Sequence, residues 1–161
     1  MASRRQRQEI AALHSYLVGQ RARIHYAQVR PMETRSIHTL AQLHSAVMSA
    51  DGIMMDCSEA VTLVCKLAGL RDPNGCNYAG SGFTGTMLQH LPHYFNPRNA
   101  DVGALVVFGP GTGHHVCQVH EPGADPWLFS HGQESDPCFI RLSEMRAGQP
   151  SPATFLAISK L

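Results

Sequence analysis

The sequence predicts a single α+β domain, with helices first and an antiparallel sheet after them. Three observations predict it. Apolar residues recur at helical spacing as far as residue 90. Short apolar runs bounded by turn residues take over after residue 101. No internal repeat or low-complexity stretch divides the chain, so helices followed by strands describe one domain over 1–161. A chain of 161 residues buries enough surface to hold a core without disulfide or metal. Hydrophobic residues make up 43% and charged residues 16%, which excludes disorder and coiled coil. No apolar run approaches the roughly 20 residues that span a bilayer, so stable membrane insertion is not expected.

Each element has its own justification. Residues 1–8, with Arg4, Arg5 and Arg7, read as a loose, solvated tail. Ile10, Leu13, Leu17 and Val18 place a helix over 9–19, closed by Gly19. Residues 20–35 contain Pro31 and read as a loop. Leu40, Leu43 and Val47 share one face of a helix over 39–48, and Asp51-Gly52 turns the chain. Asp56 then stands as an N-cap with Glu59 at the capping-box spacing. The apolar face of Cys57, Val61, Val64 and Leu67 continues from it, which predicts a helix over 57–68 with Cys57 in its first turn. Residues 71–86 are rich in Gly, Asn and Pro and form a long loop, a type that often carries function. A short helix follows over 84–90. Strands are predicted over 104–108, 115–119, 127–130, 139–142 and 155–158, and Gly109-Pro110-Gly111-Thr112-Gly113 turns the first into the second.

Charge and cysteine usage narrow the function classes. Lys+Arg is 13 and Asp+Glu is 12, a balance that gives no case for nucleic acid as partner. Five cysteines is an odd count with no C-x-x-C, and no long apolar segment follows the N-terminal arginines. Free thiols and cytoplasmic synthesis without a signal peptide are therefore expected. Ten histidines is a high count and points to chemistry.

The sharpest candidate is a cysteine nucleophile. A helix N-terminus favours thiolate through its free N–H groups and dipole, and Cys57 sits at one by the capping argument. A histidine takes the thiol proton and returns it to the leaving amine. A third polar group fixes that histidine's tautomer. The Gly-rich turn delivers His115 to the start of a strand, and His131 stands at the end of the next. The backbone N–H of Ser58 is a candidate oxyanion donor. The plain alternative for Cys57 is a small buried residue on an apolar helix face. His114, His115, Cys117 and His120 offer zinc-ligand chemistry, but alternation along a strand sends His114 and His115 to opposite faces, so no metal or cofactor is expected.

Asp56-Cys57-Ser58, Asp101 through Phe108, His115-Val116 and Ser130-His131-Gly132 together resemble the NlpC/P60 family. These are papain-like cysteine peptidases that cut the peptides of bacterial cell walls. The resemblance covers residues 53–132. It implies a papain-like α+β fold, with Cys57 at a helix N-terminus facing the sheet. It also implies Cys57 as nucleophile, His115 as general base and His131 as the residue that orients His115. Tyr26 is similar to a tyrosine that lines the family's cleft. The implied partner is peptidoglycan peptide, and the implied reaction is amide hydrolysis through a thioester. The Asp72-Pro73-Asn74-Gly75 loop and Thr84-Gly85-Thr86 are similar to forms in phage-encoded members. That implies an endolysin or virion-associated lysin, made in the host cytoplasm or carried in the virion and acting on the wall.

Two positions and one turn depart from the family pattern. Glu59 and Cys117 stand where glycine is usual, and Asp101-Val102-Gly103 replaces a Pro-Gly-Asp turn. Two further readings stay open: a papain-like protease, acyltransferase or deamidase with another substrate, and a catalytically decayed structural or wall-binding module. The oligomeric state is open as well.

Overall fold

The structure, a computed structural model, describes residues 1–94, 96–132 and 137–159. In chain order its elements are α1 (Arg4–Gly19), β1 (Ile24–Tyr26), α2 (Leu40–Val47), β2 (Ile53–Met55), α3 (Cys57–Leu67), α4 (Thr84–His90), β3 (Leu105–Phe108), β4 (His115–Glu121), β5 (Trp127–Ser130), β6 (Cys138–Arg141), α5 (Leu142–Gly148) and β7 (Ala153–Leu156). A 3-10 turn at Glu33–Ser36 precedes α2.

Five strands form one antiparallel sheet in the order β6-β5-β4-β3-β7. The α+β expectation therefore holds. Helices α1 and α3 cover one face, where Ile10, Leu17, Val61 and Val64 meet Leu105, Val107, Val116 and Phe129. The other face packs Val106, Phe108, Cys117 and Leu128 with Leu142 and Met145 of α5. Both faces are thus covered, which is why Leu105-Val106-Val107-Phe108 reads as an unbroken apolar run rather than an alternating one.

Helix starts follow side-chain caps. Residues 4–8, expected as a loose tail, belong to α1. The Ser3 hydroxyl accepts the Gln6 N–H at 3.2 Å, and Gln6 accepts the Ser3 N–H at 2.9 Å. Arg7 also pairs with Asp101 at 2.6 Å, which ties the first turn to the body of the protein. Thr39 and Gln42 make the same reciprocal cap at α2. Asp56 caps α3 by accepting the Glu59 N–H at 2.8 Å. The expected return contact from the Glu59 side chain is absent from this cap; that side chain is used elsewhere.

Three elements were not anticipated: β1, β2 and α5. The loop expected over 20–35 contains β1, which pairs in parallel with β2 in the register Tyr26↔Met55. Each of these strands has three residues, too few for an alternation to show in sequence. Helix α5 follows β6 directly, with Leu142 and Met145 on its buried side.

One feature of the sheet positions the site. Strand β4 pairs with β3 as far as Phe108↔His115, whereas its register with β5 begins at Gln118↔Phe129. Residues 115–117 therefore run past the β5 ladder. The N-terminus of α3 meets the sheet at this point: the Val116 backbone lies beside the Cys57 thiol and favours its charged form.

Candidate active site

Cys57 opens α3, and the backbone N–H groups of Cys57, Ser58 and Val116 all favour negative charge on its sulfur. Burial outweighs them. The residue is 6% exposed, and desolvation, with the neighbouring Asp56 carboxylate, pushes the thiol up to about 11. The expectation of a thiolate stabilised by the helix terminus is corrected accordingly. Burial thus favours the protonated thiol.

His115 stands at the first residue of β4 and is buried. Its Nε2 lies 2.9 Å from Ser130 Oγ. Ser130 ends β5, and its hydroxyl also faces the Cys117 thiol. The residue against His115 Nε2 is thus Ser130, one position before the expected His131. His131 is 1% exposed, and its Nε2–H donates to the Met55 carbonyl at 2.8 Å, two residues before Cys57. That contact fixes the junction between β2 and α3. Tyr26 lies beside it, with ring centroids 5.6 Å apart and tilted at 54°. The structure therefore brings Tyr26 to His131 through the β1–β2 pairing.

The Ser58 side chain is committed to the cap. Its hydroxyl donates to Asp56 Oδ1 at 2.8 Å and accepts from Arg30 Nη2 at 2.7 Å. Its backbone N–H favours negative charge on the Cys57 sulfur. Glu59, two residues from Cys57, points to the other side of α3, as a helix requires. Its Oε1 accepts the Thr34 N–H at 2.9 Å and the Thr34 hydroxyl at 2.8 Å. Burial pushes the Glu59 carboxyl up. Its charge is thereby directed away from the thiol. Cys117 is fully buried, and burial pushes its thiol up as well.

Two residues of the site escaped the sequence reading. Ser130 was visible within Ser130-His131-Gly132, but choosing between neighbours on a strand requires knowing which face each presents. Arg30 lay in a segment expected as loop. His120, weighed as a zinc ligand, instead places its Nδ1 3.3 Å from Nδ1 of His14. Among the described residues, no three His, Cys, Asp or Glu side chains converge as metal ligands do. Among them, too, no helix is long and apolar enough to cross a membrane.

The sequence matches no family model and no curated protein. Among solved structures, the peptidoglycan hydrolase RipB from Mycobacterium tuberculosis is similar over 97% of this chain and 84% of that one, at 17% identity and a TM-score of 0.47. A likeness at that level says nothing about side chains.

Proposed function

We propose that the protein is a cysteine peptidase or amidase of bacterial peptidoglycan, working through Cys57, His115 and Ser130. The observation that carries the reading is a thiol at a helix start whose charged form the Val116 backbone favours, with the neighbouring strand-start residue, His115, held by a hydroxyl. The substrate class comes from the resemblance of Asp56-Cys57-Ser58, His115-Val116 and Ser130-His131-Gly132 to the NlpC/P60 peptidases. The phage-type loop motifs support a phage-encoded lysin.

With the Nε2–H of His115 donating to Ser130, Nδ1 takes the thiol proton as sulfur attacks the amide carbon. A carbon–sulfur bond forms, and the carbonyl electrons move to oxygen. The Cys57 and Ser58 N–H groups hold that oxyanion. Collapse breaks the carbon–nitrogen bond, and His115 hands its proton to the departing amine. Water then hydrolyses the thioester. Tyr26 lines the approach, and His131 holds the segment that carries Cys57.

The test is mass spectrometry of purified peptidoglycan treated with wild type and with Cys57→Ala. Soluble fragments from wild type alone support the reading, and their masses name the bond. The 6% exposure of Cys57 favours a second reading, a module that keeps the fold without the chemistry. No fragments from either protein on several walls, including actinobacterial ones, would sink the wall-hydrolase reading and leave that module or an enzyme with another acyl substrate.

A further inference from the structure

Arg30 joins three segments that meet at the start of α3. Its Nε donates to the Gly82 carbonyl at 2.8 Å and its Nη1 to the Val29 carbonyl at 2.7 Å. Its Nη2 donates to Asp56 Oδ2 at 2.8 Å and to Ser58 Oγ at 2.7 Å. The guanidinium thus grips the residues on either side of Cys57. Asp56 is 2% exposed, so this ion pair is screened from water on the acid's side.

The pairing solves an electrostatic problem of the site. Asp56 caps α3 with a carboxylate, whose Oδ1 accepts both the Glu59 N–H and the Ser58 hydroxyl. An ionised carboxylate adjacent to Cys57 opposes a developing thiolate and oxyanion. The capping function and the proposed chemistry therefore conflict unless the charge is cancelled. Among the described residues, Arg30 is the cation that forms an ion pair with Asp56. Its planar fork also suits the geometry, with one nitrogen shared between carboxylate and hydroxyl.

We infer that Arg30 is a positioning residue for the Cys57 reaction: it clamps Asp56 and Ser58 and cancels the carboxylate's charge, so the helix N-terminus can carry negative charge on the reacting atoms. The inference rests on Cys57 being the nucleophile, and it assigns Arg30 no contact with substrate.

Alkylation of Cys57 by iodoacetamide, followed by peptide mass spectrometry between pH 7 and 10, tests this in the full chain. The thiolate is the reacting form, so the rate follows the thiolate fraction. Arg30→Met is expected to slow Cys57 about tenfold at each pH, the effect of a shift of about one pH unit from an uncancelled neighbouring charge. Arg30→Lys keeps the charge and is expected to stay within about threefold of wild type. In an Asp56→Asn background, Arg30→Met is expected to change the rate little, because no charge remains to cancel. Cys65, fully buried, stays unlabelled while the chain is folded and reports on integrity. If Arg30→Met unmasks Cys65, Arg30→Lys against wild type decides. A tenfold loss in Arg30→Lys with Cys65 protected would overturn the charge role. So would an equal loss from Arg30→Met with and without Asp56, which marks a purely structural prop. Alkylation requires no wall substrate. A shifted profile without peptidoglycan fragments removes the hydrolase reading alone, and fragments with an unshifted profile remove this inference alone.

Discussion

Ser130 and His131 are neighbours on one strand, yet their side chains serve different ends. Ser130 holds Nε2 of His115, while His131 holds the Met55 carbonyl. Removing the Ser130 hydroxyl should leave Cys57 in place and let the His115 ring lose its tautomer. Ser130→Ala is expected to slow fragment release at least about tenfold and to change the pH profile of kcat/KM, which steady-state assays across pH will read. The placement of Cys57 at a helix start and of His115 at a strand start was legible in sequence, because a cap and a Gly-rich turn announced them locally. Ser130 was not, because its role depends on the register between β4 and β5 across the connection over 122–126. Arg30 was hidden for a similar reason: its partners are 26 and 28 positions away, and nothing in its own segment marks them.

At the level of elements, the turn before β4 sets where His115 sits. Gly113 has φ +80, and a Cβ there would meet Val107 Cγ1 at 2.5 Å. Gly113→Ala therefore strains the backbone and crowds β3 together. It is expected to cost about 1–3 kcal/mol in denaturant unfolding and to reduce activity more than this loss explains. The strands and the helices α2, α3 and α4 were legible from apolar period, caps and glycines. Strands β1 and β2 were not, since parallel pairing of two three-residue strands leaves no period in the chain. The start of α1 was missed because three arginines in its first turn run against the helix dipole; the Ser3–Gln6 cap and the Arg7–Asp101 pair outweigh that cost.

Across the whole molecule, the interface between α1 and the sheet contains a buried polar chain. His14, fully buried and stacked 4.5 Å from Phe129, has Nε2 3.0 Å from Gln118 Oε1. The Gln118 amide donates to the Gly103 carbonyl at 2.9 Å, so Oε1 must accept from His14. Burial drives the His14 pKa down from 6.5 to about 3. The unfolded chain then binds one more proton between those values. The stabilisation is complete above pH 6.5 and is lost progressively as pH falls toward 3. Between pH 7 and 4 His14 is expected to remove about 3 kcal/mol, and His14→Gln should flatten that part of the stability curve, read by chemical denaturation at each pH. The histidine count hinted at chemistry; for His14 and His120 the structure gives it a stabilising role instead.

The central claim is that Cys57 forms a covalent acyl intermediate with an amide substrate. The most direct measurement is acid-quenched peptide mapping of the protein after brief exposure to soluble peptidoglycan fragments. The account predicts an acyl mass on the peptide carrying Cys57, absent in Cys57→Ala. Fragment release that persists in Cys57→Ala, with no acyl mass on Cys57 in wild type, would contradict it.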